Sequence, residues 1–166
     1  MELENILKSL ESDAKSKRKA NKKILEKIKK RYSNHEIDQL FQNLHHKAFD
    51  KINCLSCANC CKTTGPLFTT KDIERISGKL KLSQQSFIEK FLQTDEDNDI
   101  VLKQLPCPFL EKDNRCSIYE FRPKACREYP HTDRKKQFPI LNLNLKNTER
   151  CPAVFEIFEE LKKQIF

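Results

Sequence analysis

Cys54-Leu55-Ser56-Cys57-Ala58-Asn59-Cys60-Cys61 puts four thiols into eight positions, and the reading of the whole chain turns on it. Cysteines three residues apart can aim their sulfurs at one centre from a tight turn. The same spacing therefore recurs at zinc sites and around iron–sulfur clusters. Thiolates packed this closely need a cation to neutralise them. A lone cysteine reads as a small buried apolar side chain; four in this pattern do not. The vicinal pair Cys60–Cys61 cannot easily point both side chains at one small ion, so it implies two neighbouring centres or one centre with a spare thiol.

Four more cysteines follow singly: Cys107, Cys116, Cys126 and Cys151. Two flank an expected hairpin, one sits in the turn after it, and one opens the last expected helix. Each stands at an element boundary, and the fold must gather them. Eight thiolates suffice for two four-cysteine sites, and the sequence leaves their division open.

Outward from the cysteines, three motifs occur in order: CxxCxxCC at 54–61, Cys107-Pro108-Phe109-Leu110, and the run from Cys116 through Glu120-Phe121-Arg122-Pro123 to Cys126-Arg127-Glu128-Tyr129-Pro130. In these the chain resembles the YkgJ-type cysteine-cluster family over roughly residues 50–151. The family is described as a zinc- or iron-chelating domain. The resemblance implies that Cys54, Cys57, Cys60, Cys61, Cys107, Cys116, Cys126 and Cys151 are metal ligands. An iron–sulfur cluster is narrowly preferred over zinc, because CxxCxxC followed by distant Cys-Pro pairs is similar to ferredoxin ligation. All-cysteine zinc sites stand as the alternative.

Composition excludes other chemistries. Of 166 residues, 34% are charged and 37% hydrophobic, so the apolar supply is lean and metal cross-links would help. Gly65 and Gly78 are the two glycines, too few for a P-loop or a GxGxxG turn. Nucleotide kinases, ordinary GTPases and Rossmann dehydrogenases are therefore excluded. No stretch approaches the roughly 20 apolar residues of a membrane span, and the amino terminus has no apolar leader core. The expectation is a cytoplasmic protein with no membrane contact, where clustered cysteines hold metal or do redox work rather than form disulfides. No His–Asp arrangement accompanies Cys126 as a nucleophile, and no reaction or substrate is legible.

The net charge of +8 is uneven: residues 1–31 hold eleven Lys/Arg against five Asp/Glu, while the rest of the chain has a net of +2. Residues 1–32 read as a basic helical arm and 33–166 as the cysteine-cluster metal-binding domain. Six of the nine residues 15–23 are Lys or Arg, and this run is expected to break the arm's apolar stripe. Such a run attracts polyanions, which makes a nucleic-acid or acidic-partner adaptor the rival function. A solvated helix face is preferred, because no aromatics are interleaved to stack on bases.

The expected fold is α+β, mostly helical, with a small antiparallel β element near the metal. Ser33, Thr69 and Ser83 open helices, with Glu36 and Asp72 completing capping boxes. Ile37, Leu40, Phe41, Leu44, Ala48, Phe49 and Ile52 form one buried face. Leu92 closes the helix after Ser83. Short strands are expected at 100–102, 109–110 and 118–119, a further one over Phe138–Leu145, and a helix from Pro152. His131, Arg122 and Arg127 are weaker candidates beside Cys126. His45 and His46 read as structural or exposed, and Phe109, Tyr119 and Phe121 as core.

Overall fold

The computed structural model describes residues 3–165. In chain order it comprises α1 (Leu3–Arg31), α2 (Asn34–Phe49), α3 (Cys54–Cys57), α4 (Asn59–Thr63), α5 (Thr70–Lys79), α6 (Gln84–Phe91), β1 (Leu92–Thr94), β2 (Ile100–Leu102), α7 (Lys124–Glu128), α8 (Leu141–Asn147) and α9 (Pro152–Ile165). The fold is α+β and mostly helical, and β1 and β2 form an antiparallel pair with Leu92 opposite Leu102. The chain divides into two compact units. One comprises everything up to Cys57 together with everything from Pro130 onward; the other is Ala58–Tyr129.

In the first unit α9 is the organiser, packed by α1, α2 and α8. Its Ala153, Val154, Ile157, Phe158 and Leu161 are fully covered, as are Ile24 and Ile28 of α1 and Ile37 and Phe41 of α2. Ser33 caps α2 through the expected box: its hydroxyl accepts from the Glu36 amide, and its own amide donates to the Glu36 carboxylate at 2.7 Å. On α2 the buried positions are Ile37, Phe41, Leu44 and Ala48.

α1 is one continuous helix, and its inward stripe is not broken by the basic run. Leu10, Ala14, Asn21, Ile24 and Ile28 are buried, and Lys17 fills the gap in the same three-and-four spacing. The Lys17 ammonium lies 4.8 Å from the centroid of the Phe155 ring and 3.1 Å from the Glu159 carboxylate, both on α9. A long basic side chain thus lays its stem along an apolar face and finds its charge partner beyond it.

The strand expected over Phe138–Leu145 is a 3-10 turn, Phe138–Ile140, followed by α8. The Leu-Asn-Leu-Asn-Leu run imitates strand alternation. The covered positions are Leu141, Asn144, Leu145, Asn147 and Thr148, a helical spacing, while Leu143 is exposed. Buried Gln137 sets this start: its amide and that of Lys136 donate to Asp38 of α2, and its side chain receives the Asn144 amide at 2.7 Å.

The second unit has its own core of Phe68, Ile73, Ile76, Phe87, Leu92, Leu102, Phe109 and Ile118. The Phe87 and Phe109 rings stack at 6.2 Å, and Phe91 meets Phe109 at 5.0 Å. Thr69 and Asp72 form the expected capping box of α5, and Ser83 caps α6. Leu92 leaves the helix and begins β1. The β1–β2 turn is closed by Asp95, whose side chain accepts the amides of Asp97 and Asp99, with Asn98 left-handed at φ 63°. The expected strands at 109–110 and 118–119 reduce to a single bridge, Leu110 with Cys116, and a 3-10 turn over Tyr119–Phe121. Phe109 is core as expected, Phe121 is partly buried, and Tyr119 is exposed.

Candidate metal centre

Cys54 and Cys57 begin and end the single turn of α3 in the first unit. Ala58 then takes a left-handed conformation, φ 49°, which redirects the chain before α4 lifts Cys60 and Cys61 in the second unit. The CxxCxxCC motif is therefore divided between the units at its centre. The Cys60 carbonyl closes the short helix by accepting the Thr64 amide at 2.9 Å and the Gly65 amide at 3.2 Å. Gly65 has φ 74°, and a Cβ there would lie 3.2 Å from Leu105 Cδ2.

Backbone structure ties two further cysteines, Cys107 and Cys116, to Cys61, and a side-chain strut holds the helix that carries Cys126. The Cys107 amide donates to the Cys61 carbonyl at 2.8 Å. The Cys107 carbonyl accepts from Leu110, and Leu110 pairs with Cys116 across the hairpin. Asn114, at φ 67°, supplies the left-handed residue that lets this turn close without glycine. Cys126 lies on α7, whose entry is fixed by a buried strut. One oxygen of Asp72 accepts from the Lys124 amide at 3.1 Å and from the Arg75 guanidinium at 2.7 Å, while Arg75 also donates to the carbonyls of Phe121 and Arg122. Burial alone would raise the Asp72 carboxyl. The amide and hydroxyl of Thr69, Arg75 and the Lys124 amide outweigh it and hold the group below the usual carboxylate range.

None of the eight cysteines is in a disulfide. Several sulfurs receive backbone amides two and three residues ahead: Phe109 and Leu110 onto Cys107, Ile118 onto Cys116, and Ala153 and Val154 onto Cys151. In both Cys-Pro pairs proline at the next position donates nothing, and the amides that act on the sulfur come from the two residues after it. Amides aimed at sulfur stabilise negative charge there and orient a ligand. Cys151 also serves as the cap of α9, its carbonyl accepting the Phe155 amide at 3.0 Å.

The electrostatics follow the same grouping. Burial, then the amides against it, then Cys61 and Cys116 nearby, leave the Cys107 thiol pushed up to about 11. Burial first and then Cys61, Cys107 and Cys116 carry Cys126 to about 12, with Arg122 opposing. Burial also raises Cys116. Burial raises Cys151 to about 12; its two amides oppose, and Cys54 and Cys57 add to the rise. Cys61 goes the other way, to about 7: the Cys60 thiol hydrogen-bonds its sulfur, burial opposes, and Lys62 helps. Without a cation, most of these thiols stay protonated; a bound metal reverses that preference.

As the side chains stand, no three His, Cys, Asp or Glu among the described residues are drawn together tightly enough to hold an ion. The donor set fits zinc or iron in type and number. Of the weaker candidates, Arg122 lies 3.9 Å over the Tyr119 ring and donates to the Tyr119 carbonyl, and its charge reaches Cys116 and Cys126. Glu128 pairs with Lys124, at 3.6 Å. His45 is structural: Nδ1 is 2.8 Å from the Thr132 hydroxyl, and the ring rests on Phe49. His46 is exposed, and the His131 carbonyl accepts from Gln137. Asp72 and Arg75 were not foreseen beyond the cap, because their partners lie about fifty residues away.

No helix among the described residues is long and apolar enough to cross a membrane. No solved structure matches the chain. An uncharacterised protein of Methanocaldococcus jannaschii, MJ0661, is 31% identical over 83 residues, covering 48% of this chain and 44% of its own length. The chain thus spans less than half of that relative. Residues 53–152, which contain every cysteine, match the family described as "CxxCxxCC: putative zinc- or iron-chelating domain". The match covers more than half of the sequence and bears out the resemblance to the YkgJ-type family, so the chain belongs to the CxxCxxCC family of zinc- or iron-chelating domains.

Proposed function

We propose that the protein binds iron, as an iron–sulfur centre, through its eight cysteines in a reducing, cytoplasmic setting, with residues 33–166 as the metal-binding body and 1–32 as a basic arm. The observation that carries this reading is that residues 53–152, which hold all eight cysteines and none of them in a disulfide, match a zinc- or iron-chelating family. The backbone amides that work against burial at the Cys107 and Cys151 thiols favour an anionic, metal-bound sulfur and would tune a cluster's potential. The protein's own contribution is to hold Cys54, Cys57, Cys60, Cys61, Cys107, Cys116, Cys126 and Cys151 as ligands and to place Arg122 where its charge offsets thiolate. When bound, an iron–sulfur centre supplies one-electron chemistry, which makes a redox role the natural use of the site.

The test is metal analysis with absorption spectroscopy on anaerobically purified protein. The expected result is a brown protein with iron and sulfide, bleached by dithionite. A colourless protein replete with zinc after growth in ample iron overturns the iron–sulfur choice in favour of a structural-zinc module. A metal-free protein with stoichiometric disulfides overturns chelation altogether. Three of the six basic residues of the run, Lys15, Lys17 and Arg18, pair with Glu11, Glu159 and Glu149, which supports the solvated-face reading over the adaptor.

A further inference from the structure

We infer that the basic loop Arg134–Lys136, with the exposed side of the following 3-10 turn and α8, is a docking surface for an acidic polypeptide, one that presents carboxylates around an apolar side chain. The surface belongs to the first unit and does not depend on the chelation reading.

Residues 134–146 carry Arg134, Lys135, Lys136 and Lys146 and not one Asp or Glu. All four cations are exposed, and among the described residues no carboxylate pairs with any of them. Elsewhere Lys8, Lys15, Lys124 and Lys163 each find a carboxylate within one helical turn. Between the four cations in sequence lie two large apolar side chains left in water, Phe138 at 41% and Leu143 at 42% exposure. Leu143 and Lys146 stand three apart on α8 and share its outer side. Apolar anchors among unpaired cations, with an arginine and an aromatic ring present, have the chemistry of an interface whose partner carries the opposite charge.

The loop is also braced. His131 and Lys136 take left-handed conformations, φ 69° and 61°, which residues with a Cβ avoid. Buried Gln137 holds this shape by donating to the carbonyls of His131 and Arg134 at 2.7 and 2.8 Å. Asp38 of α2 takes the amides of Lys136 and Gln137, and the Thr132 hydroxyl lies 2.8 Å from His45 Nδ1 on the same helix. The backbone beneath the cations is thus fixed before any partner arrives, and less ordering is lost on binding.

Other anionic partners fit less well. A bilayer surface is bound by the broad apolar face of an amphipathic helix, and this surface offers two large apolar side chains. Single-stranded nucleic acid is held by successive stacking rings, and Phe138 is the one aromatic ring in residues 134–146.

The test uses the full-length protein as isolated and a fluorescein-labelled synthetic peptide, Glu-Glu-Leu-Phe-Glu-Glu, read by fluorescence anisotropy. The peptide should bind and weaken as salt rises, and its counterpart with Gln for every Glu should not bind. Arg134→Glu/Lys135→Glu, both at exposed positions, should weaken binding by about tenfold, and Phe138→Ser should weaken it independently. Lys19→Glu/Lys22→Glu/Lys23→Glu on α1 changes the net charge by more and should leave binding intact. No binding of the peptide overturns the inference, as does an equal loss from the α1 variant. Tighter loop-dependent binding of phosphatidylglycerol-containing vesicles or of oligouridylate than of the peptide overturns it in favour of a membrane or RNA surface.

Discussion

Asp72 links two pieces of chain that sequence distance keeps apart. Its carboxylate closes the α5 capping box with one oxygen and holds Arg75 and the entry to α7 with the other, while only 1% exposed. Asp72→Asn keeps the shape but strips the charge that Arg75 faces. It should cost about 2–3 kcal/mol of stability, the range for breaking a buried, charge-assisted network, and should loosen Cys126. Urea unfolding of the loaded protein checks the first effect, and metal content the second. His45 gives a pH-dependent counterpart. Burial lowers its ionisation below the ordinary histidine value, Asp133 opposes, and His46 adds to the lowering. The folded state therefore binds fewer protons than the unfolded one. The stability this contributes is present above about pH 6.5 and is lost as pH falls through the depressed value. His45→Gln should flatten the melting temperature across pH 5–7; an unchanged slope would place the linkage elsewhere.

At the scale of elements, α1 carries a polar residue in its buried stripe. Asn21 is fully covered, and neither atom of its amide meets a hydrogen-bond partner. Asn21→Leu keeps the branching and the number of heavy atoms and removes the unmet polar group. It should raise stability by about 1–3 kcal/mol, read as a higher urea midpoint. Sequence reading located the helix starts because their signals are local: Ser33 with Glu36, Thr69 with Asp72, Ser83, and Pro152. It misjudged the α1 stripe because Lys17 and Asn21 look like surface residues, and it misjudged α8 because leucine alternates there by accident of composition. The eight cysteines were legible as a class of site. How the fold places them was not, since that depends on the hairpin register and on Asp72 reaching Lys124, contacts that no short spacing encodes.

For the whole molecule, a lean core makes metal part of the fold. Metal binding at structural zinc sites contributes on the order of 10 kcal/mol of folding free energy. Cys57→Ser and Cys126→Ser should each lower metal content and thermal stability together. Either variant keeping full metal and an unchanged melting temperature removes that cysteine from the ligand set. Deleting residues 1–31 uncovers the face of α9 that Ile24, Leu25 and Ile28 protect. The shortened chain should therefore aggregate or associate more readily, as seen by light scattering, while retaining its metal.

The second unit is an insertion: the first is begun before Ala58 and finished only after Tyr129. On the ribosome this imposes an order. Synthesis proceeds at about 5–20 residues per second, so α9 emerges seconds after the last residue of the inserted unit. Through that interval α1 and α2 have been made without the helix that buries them, and Cys54 and Cys57 without Cys151, while Cys61, Cys107, Cys116 and Cys126 have all been made. The inserted unit can thus fold while the unit that encloses it in sequence still lacks its last helix.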